Sequence, residues 1–384
     1  MTYLDELKPE ALAGKKVLLR VDFNAPVPKL PFALKPNIVP PDIETFRIKA
    51  HKHTLDYLVN AGAKVTLVSH HDILKSFEPI VGQLGDILAR RLELISLGKL
   101  QAPGGQGDLV LLDNIRQDPR EEQNDDGFAA GLAEGFDLYV NDAFSVSHRN
   151  HATVAAITKF LPAYGGLLLK KEIENLAQAI ETPMAGKVLI IGGAKISTKE
   201  PVIKNFLDKA EKILIGGAIA NDFFQAQGIK VGNSIVDDLI TPDFTSPKIL
   251  LPEDILVSAD LSGASVAAAR QVADIGAEEI IVDLGPKSAQ KFAEIIADSS
   301  IAIWNGPLGL AEVEAFAGGT KAVAQAVAAA KHSIIGGGDT IAAADKLGLL
   351  SKFSFVSTGG GAMLEFLAGN KLPGLEALGY YRST

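Results

Sequence analysis

Two lysines beside a glycine pair are the residues of this 384-residue sequence best suited to bind a polyphosphate. Lys195 and Lys199 lie four residues apart in GGAKISTKEP, a spacing that places two ammonium groups on one face of a helix. Like charges repel at that distance unless an anion lies between them, and a polyphosphate would serve. A solvated surface pair is the alternative, which the preceding Gly-Gly makes less attractive.

Asp339 is the second chemical feature, because it puts a carboxylate where a phosphate is expected. The run IIGGGDTIAAADKLG predicts a strand, a glycine turn and the start of a helix. Backbone N–H groups and the positive helix end form an anion site in such a turn. Asp339 is therefore either the N-cap of that helix or a ligand of a Mg²⁺ ion that phosphate oxygens also bind.

Basic side chains at predicted strand ends mark the first half of the chain. Any single arginine among them could be a surface or ion-pair residue, but together, in an acidic protein, they suit a small anion carrying carboxylate and phosphate. Zinc is disfavoured at the histidines, because no further His or Cys has suitable spacing. The basic residues are Arg20, Arg47, His70, Arg116, His148, Arg149 and His151, with Asp22 and Asn24 nearby.

The elements that position these residues follow an α/β pattern. Short apolar runs such as KVLLRVDFN, KVLIIGGA and IIVDLG alternate with segments of helical spacing, which predicts parallel strands buried on both faces. The strand ends are polar in the first half and glycine-rich in the second, where IIGGAK, LIGGAI, WNGPLG, IIGGGDT and STGGGA occur. Since parallel sheets bind ligands beyond the carboxyl ends of their strands, two ligands are predicted, with a nucleotide at the glycine rim.

The join between two predicted domains falls in FLPAYGGLLLKKEIENLAQAIETPMAGK. A Leu161-Pro162 break leads to a helical run that ends near Thr182-Pro183. We expect an N-terminal domain at 1–168, a linking helix at 169–182 and a C-terminal domain at 183–369. An ordinary crossover helix within one sheet is the alternative.

Composition excludes several classes of protein. The chain has no cysteine, which excludes disulfides, thiolate metal sites and a cysteine nucleophile. A net charge of -9 without a Lys/Arg block disfavours nucleic acid and membrane surfaces as partners. The charged N-terminus and the lack of an apolar run of about 18 residues predict a cytoplasmic protein.

The motifs, taken in order, resemble the phosphoglycerate kinase family over essentially the whole chain. Matching segments include RVDFNAPV, LLDNIR, YVNDAFSVSHRNHAT, GGAKISTKEPVIKNF and STGGGAMLEFLAGNKLPGLEAL. The resemblance implies two doubly wound parallel-sheet (Rossmann-like) domains joined by a hinge helix near Lys171 to Ile180, with the cleft between them and a C-terminal tail, 370–384, packed back on the N-terminal domain. It implies a monomer that reversibly transfers phosphoryl from 1,3-bisphosphoglycerate to ADP, giving 3-phosphoglycerate and Mg-ATP after hinge closure.

By the same resemblance, each family site maps onto residues of this chain. The residues that contact 3-phosphoglycerate are Asp22, Asn24, Arg47, His70, Arg116 and Arg149. The nucleotide-binding residues are Lys195, Lys199, Gly216, Gly217, Leu310, Glu312, Gly337, Gly338, Asp339 and Thr340, with Asp339 also binding Mg²⁺. The catalytic residues are Arg47, Lys199, Gly338 and Gly361, where Gly359, Gly360 and Gly361 form the turn that faces the transferring phosphoryl group.

The chain departs from the family pattern beside the expected substrate residues. After Ser69-His70 the family usually continues Leu-Gly-Arg-Pro, whereas this chain has His71-Asp72-Ile73-Leu74, so an expected arginine is missing. The Pro-rich segment 26–41 is longer than the family loop, and KEP at 199–201 replaces the usual turn after the second lysine. We hypothesise that Lys29, Lys35 or His71 supplies part of the lost positive charge.

Three alternatives to an active phosphoglycerate kinase follow from these observations. The missing arginine allows a carboxylate kinase with a changed acceptor, or an impaired relative that acts as a nucleotide-binding module. A dehydrogenase with a dinucleotide at the glycine rim is the third, and the absence of G-x-G-x-x-G counts against it.

Overall fold

The computed structural model describes residues 1–24, 42–99, 109–237 and 245–381. The chain divides into two compact units, the first comprising Met1–Glu174 with Lys371–Thr384 and the second Asn175–Asn370. The Pro-rich segment 26–41 lies outside the described residues, and so do Lys29 and Lys35, two of the hypothesised substitutes for the missing arginine.

The first unit is built on a six-stranded parallel sheet. Its strands are β1 (Lys16–Arg20), β2 (Lys64–Val68), β3 (Leu92–Ile95), β4 (Leu109–Leu112), β5 (Leu138–Asn141) and β6 (Ala163–Gly165). They pair in the order β3-β4-β2-β1-β5-β6. The helices are α1 (Asp42–Ala50), α2 (Lys52–Asn60), α3 (Val81–Leu88), α4 (Asp126–Ala133) and α5 (Leu167–Glu181).

Both faces of this first sheet are buried, as the continuous apolar runs predict. Along β1, Val17 and Leu19 pack into one hydrophobic cluster, whereas Leu18 packs into another. Alternate side chains of a strand point to opposite faces, so each face of the sheet supports its own core. This leaves the carboxyl ends of the strands as the accessible edge for polar side chains.

The second unit contains a six-stranded parallel sheet and a small antiparallel sheet. The strands are β7 (Lys187–Ile191), β8 (Lys212–Ile215), β9 (Ile249–Leu250), β10 (Asp254–Ser258), β11 (Ala268–Gln271), β12 (Ile280–Leu284), β13 (Ile301–Asn305), β14 (Ser333–Gly336) and β15 (Phe355–Ser357). The parallel sheet has the order β15-β14-β13-β7-β8-β9, and the antiparallel sheet has the order β11-β10-β12. The helices are α6 (Glu200–Phe206), α7 (Ala218–Ala226), α8 (Pro286–Ala297), α9 (Gly318–Ala329), α10 (Gly338–Lys346) and α11 (Gly361–Leu367).

The α/β architecture with two doubly wound parallel sheets is confirmed, with one wrong assignment. The run IIVDLG was predicted as a parallel strand, but it forms β12, which pairs antiparallel with β10. A short apolar run identifies a buried strand, and nothing in the run itself specifies its neighbour.

Two segments connect the units along the chain. α5 leads from β6 of the first parallel sheet to β7 of the second, so it is not a crossover helix within one sheet, and the division between the units falls inside it. Its action as a hinge stays a prediction. The chain returns to the first unit through a last helix, α12 (Pro373–Ala377), where Leu372 and Leu375 are buried and Gly374 donates a backbone hydrogen bond of 2.9 Å to the Ser147 carbonyl. Among the described residues, no helix combines the length and the apolar character needed to cross a membrane.

Candidate functional site

Polar groups gather where β1 ends in the first unit, and the innermost of them is Arg20. Its side chain is fully buried. Nε donates to Thr153 Oγ1 at 3.0 Å, and Nη2 lies 3.1 Å from His70 Nδ1. Although it was grouped with the candidate anion-binding residues, Arg20 uses its hydrogen bonds to hold neighbouring side chains.

Asp22 and Arg47 form the centre of this edge. Asp22 is 3% exposed and accepts hydrogen bonds from the Asn24 backbone N–H at 2.9 Å and from the Ser145 hydroxyl. Arg47 Nη1 lies 3.6 Å from the Asp22 carboxylate and donates to the Asn24 carbonyl at 3.1 Å. His51, which sequence reasoning missed, fixes the backbone here, because its Nε2 accepts the Asp22 N–H at 2.9 Å.

The charges of this centre follow from burial and pairing. Burial alone would raise the pKa of Asp22, but the neighbouring His70 and Arg47 side chains and the Ser145 hydroxyl outweigh it and hold that pKa below its usual range. Burial and the Arg20 guanidinium lower the pKa of His70 to about 3, so its imidazole is neutral near pH 7. We therefore attribute the stabilisation of the Asp22 carboxylate at neutral pH to Arg47 and Ser145.

The loop after β2 contains the departure from the family pattern, and it contradicts one hypothesis. His71 is 2% exposed, and its Nδ1 accepts the backbone N–H groups of Ile73 and Leu74 at 3.1 and 3.0 Å. A ring nitrogen that accepts two hydrogen bonds carries no proton. His71 therefore shapes the loop and does not replace the missing positive charge, so the His71 part of the hypothesis is wrong, while Lys29 and Lys35 lie outside the described residues.

Asp72 in the same loop binds two of the predicted substrate residues. Its carboxylate forms an ion pair with Arg116 and accepts from Asn24 Nδ2 at 2.7 Å, while its backbone N–H donates to Asn24 Oδ1 at 2.9 Å. Glu122 lies 3.4 Å from Arg116 Nε on the other side. Arg116 is thus held by two carboxylates of its own chain.

The remaining basic residues of this region differ in their contacts. The guanidinium of Arg149 is half-buried and has no hydrogen-bond or ion-pair partner in the described part of the chain. Burial and the positive charge of Arg149 lower the pKa of His151 to about 4, so this ring is neutral near pH 7. Of the predicted acceptor residues, the structure links Asp22, Asn24, Arg47, His70 and Arg116 through direct contacts or through Asp72, and Arg149 contributes a nearby charge.

In the second unit, a cavity of about 350 Å³ lies where the strands of the parallel sheet end in glycines. Four of the predicted nucleotide-binding residues line it, namely Gly217, Leu310, Glu312 and Asp339. Three further polar residues line it that sequence reasoning missed, Asn221, Asp283 and Lys346. Asp283 sits at the end of the apolar run IIVDLG, so the strand-end rule could have found it, whereas Asn221 and Lys346 lie within helices and carry no such signal.

At some positions of this rim only glycine fits, because neighbouring atoms lie where a Cβ would be. Gly306 has φ +94°, and a Cβ there would lie 2.1 Å from the Gly192 carbonyl oxygen. Gly216 is also needed for packing, since a Cβ would lie 2.7 Å from Leu308, but Gly216 is not among the cavity-lining residues. The fold alone therefore accounts for some of the glycines that the sequence assigns to ligand binding.

The two lysines do not share a helix face as predicted. A short 3₁₀ helix, Ile196–Thr198, separates Lys195 from Lys199, and Lys199 precedes the first residue of α6. Lys195 is exposed and Lys199 is half-buried. Burial lowers the pKa of Lys199, an effect that Asp339 opposes and Lys195 reinforces, which shows that the three charges lie within electrostatic reach of one another.

The turn before α10 contradicts one of the two alternatives for Asp339. The N-cap position is Gly337, with φ +95°, and Asp339 lies in the first turn of the helix without a capping hydrogen bond, so the N-cap hypothesis is wrong. Gly338 is exposed, and no atom lies within 4 Å of a Cβ placed there. Thr340 faces inward, because its hydroxyl accepts the Gly306 N–H at 2.7 Å.

Asp339 is a side chain at the cavity that could bind Mg²⁺. Within the described ranges, no three His, Cys, Asp or Glu side chains cluster as a metal site. Mg²⁺ needs no such cluster, since it commonly binds one or two carboxylates together with phosphate oxygens and water. Asp339, exposed at the cavity wall, fits that role.

Asp283 is the most perturbed carboxyl group of this unit. It is 2% exposed, one oxygen accepts the Gly319 N–H at the start of α9, and the other has no hydrogen-bond partner. Burial raises its pKa to about 7. The same carboxyl packs behind Gly309 and Gly319, so it supports the cavity wall from within.

Comparison with known proteins finds relatives that match nearly the whole chain. Phosphoglycerate kinases of Dictyoglomus turgidum and Moorella thermoacetica are each 40% identical to this chain, over 98% and 97% of it and over 98% of their own lengths. A solved phosphoglycerate kinase structure from Coxiella burnetii superposes with a TM-score of 0.85 at 32% identity, covering 99% of both chains. One from Pyrococcus horikoshii gives a TM-score of 0.83 at 29% identity, over 99% of this chain and 98% of its own.

The family-level comparison covers nearly the whole sequence. The phosphoglycerate kinase family matches residues 6–370, which include every predicted site residue. On this match and on the relatives above, the chain belongs to the phosphoglycerate kinase family.

Proposed function

We propose that the protein transfers a phosphoryl group reversibly between 1,3-bisphosphoglycerate and ADP, giving 3-phosphoglycerate and ATP. Its family is one of phosphotransferases with a carboxyl group as acceptor. The observation that carries the proposal in this chain is the cavity of about 350 Å³ lined by Asp339, with Lys199 within electrostatic reach of that carboxylate. A cavity of this size with apolar walls and a charged end suits a nucleotide with its phosphates at the charged end.

In this proposal the first unit binds the acceptor and the second binds the nucleotide. The acceptor residues are Asp22, Asn24, Arg47, His70, Arg116 and Arg149. Direct transfer requires the two bound substrates to meet, so the proposal includes a closing motion about α5, with water excluded from the acyl phosphate.

Catalysis would rest on charge stabilisation, because phosphoryl transfer to a carboxylate needs no general base. Arg47 and Lys199 would neutralise charge on the transferring group. Backbone N–H groups of Gly338 and Gly361, each the first residue of a helix, would bind its oxygens. The Asp22 carboxylate would keep Arg47 oriented through their contact at 3.6 Å.

We propose that Mg²⁺ enters with the nucleotide and is held by Asp339. When bound, the ion would neutralise phosphate charge and bridge those oxygens to the protein. Lys195 would meet the same phosphates from the exposed side, and Glu312 would bind the ribose hydroxyls.

A changed acceptor is the second candidate function, and the ion pair between Arg116 and Asp72 favours it. Coupled turnover of Mg-ATP with 3-phosphoglycerate, compared with other phosphorylated carboxylic acids at equal concentration, separates the candidates. We expect the highest kcat/KM with 3-phosphoglycerate. Turnover with another acid alone would establish the second candidate, and nucleotide binding without any turnover would show a binding module.

We further propose that the protein is a cytoplasmic monomer. The exposed large apolar side chains found in the described ranges are few, such as Ile73, Met184 and Val266. Sedimentation at micromolar concentration should give a single species with the mass of one chain, and a dimer would contradict this.

A further inference from the structure

We propose that Asp72 is an internal anion that competes with the acceptor for Arg116 and thereby sets the affinity of this enzyme for 3-phosphoglycerate. The inference rests on the proposed function and adds a specificity-determining residue to it. Asp72 occupies the loop position next to the missing arginine, where the family pattern has glycine.

The contacts of Asp72 are those an acceptor anion would make. One carboxylate oxygen pairs with Arg116, and the other accepts a 2.7 Å hydrogen bond from Asn24. Both partners belong to the residues proposed to bind 3-phosphoglycerate. An anionic ligand that needs Arg116 must therefore separate it from a carboxylate already in place.

Burial makes this competition effective. The Arg116 side chain is 11% exposed, so its charge is largely removed from water, whereas the Asp72 side chain is 46% exposed. A guanidinium that is removed from water interacts strongly with a nearby anion. Two carboxylates of the chain lie close enough to form that interaction. Arg116 is therefore paired through Nη1 before any ligand arrives, while its Nε and Nη2 have no hydrogen-bond partner among the described residues.

Among the described residues, the charged side chains around Arg116 are mostly acidic. An open groove beside Arg116 is lined by three carboxylates, Asp72, Asp113 and Glu122, and by the two basic side chains Lys75 and Arg116. His71 lines the same groove but is buried as an acceptor of hydrogen bonds. At the position of the missing arginine stands Ile73, 71% exposed. The groove thus has a net negative charge, which opposes an anionic acceptor.

The test is the dissociation constant of 3-phosphoglycerate, measured by calorimetry on the full chain without nucleotide. Asp72→Asn keeps the size of the side chain and one of its two acceptor oxygens but removes the charge. We expect binding about five- to tenfold tighter than for the unaltered protein. Asp126→Asn is the matched control, because it removes one exposed carboxylate of the same unit that pairs with Lys159 and not with Arg116, and we expect less than a twofold change.

Unchanged or weaker binding of 3-phosphoglycerate by Asp72→Asn would overturn the proposal. Asp72 would then have no effect on the affinity, or would support binding by positioning Asn24. Asp72→Ser serves as a second variant without charge, and the same tightening is expected. If turnover with 3-phosphoglycerate is present but neither variant tightens binding, only this inference fails. If no variant binds or turns over 3-phosphoglycerate, the proposed function fails with it.

Discussion

Two arginines at the sheet edge of the first unit are already paired with carboxylates of the same chain, whereas the two lysines of the second unit are not. Arg47 lies against Asp22 and Arg116 against Asp72. In the part of the chain that the structure describes, Lys195 and Lys199 make no ion pair, and the second of them is half-buried.

Because of this difference, we expect the basic residues of the two units to contribute unequally to ligand binding. A ligand of the first unit exchanges one ion pair for another, which leaves a small net gain in free energy. A polyphosphate at the second unit relieves repulsion between two cations and stabilises the charged state that burial opposes at Lys199. We therefore expect substitutions of the lysines to have the larger effects.

Replacing Lys199 should give the largest effect. In Lys199→Met, the transferring phosphoryl group loses a partly desolvated cation, so we expect kcat to fall by about 10²- to 10³-fold. Lys195→Met is the matched control, because Lys195 is exposed. It should mainly raise the KM for the nucleotide. Coupled turnover with both substrates varied gives these constants.

Equal losses of kcat in the two lysine variants would contradict this division of roles. Neither variant should unfold at a lower temperature than the unaltered protein, because burial already opposes the charge of Lys199 and Lys195 is exposed.

The pH dependence of stability should differ in sign between the units. The pKa of His70 is lowered from 6.5 to about 3, so the unfolded chain takes up a proton that the folded first unit refuses, and stability falls as pH drops below about 6.5. The pKa of Asp283 is raised from 3.8 to about 7, so its contribution to the second unit is fully present below 3.8 and is lost as pH rises through about 7. Each group can contribute a slope of at most about 1.4 kcal/mol per pH unit.

Hydrogen exchange of peptides from β1 and β12 between pH 5 and 8, corrected for intrinsic rates, reports the two slopes separately. His70→Gln should reduce the first slope, to which His151 also contributes, and Asp283→Asn should flatten the second, each without changing the other. Slopes of the same sign, or variants that leave them unaltered, would show that other groups control the pH response.

Removal of the proposed Mg²⁺ ligand should have an effect of about tenfold. Asp339→Ala should weaken binding of Mg-ADP by about that factor and leave metal-free ADP almost unaffected or slightly tighter, because the carboxylate then no longer repels phosphate. Calorimetry with Mg²⁺ and with a chelator measures both. Asp345→Ala, on the same helix but outside the cavity lining, is the control. Equal losses for the two forms of ADP would exclude metal binding by Asp339.

The features that sequence could predict were those encoded locally. Apolar runs located β1, β7 and β14, and the glycines after β7 include Gly193, which lines the cavity. The helical spacing of Lys195 and Lys199 misled because a 3₁₀ turn separates them and α6 begins only at Glu200. Spacing implies a shared face only when the residues belong to one helix.

Contacts between distant residues could not be predicted. Asp72 and Arg116 belong to loops after different strands, and their pairing depends on the sheet order that places β2 beside β4. The inward orientation of His71 depends on backbone N–H groups of its own loop. A list of basic residues identified the acceptor region but could not show which of them are already neutralised.

Placing a positive charge at position 73 should give the smallest effect. It tests the comparison of the two units by adding a charge to the first unit instead of removing one. Ile73 is 71% exposed, so Ile73→Arg places its guanidinium largely in water, where an ion pair contributes about 0.2–1 kcal/mol. We expect 3-phosphoglycerate to bind about two- to threefold tighter at low salt, and the gain to shrink at high salt because exposed charges are screened. Ile73→Gln, which removes the apolar surface without adding charge, should bind as the unaltered protein does. If the first unit were limited by shape and not by charge, the Arg and Gln variants would behave alike at every ionic strength.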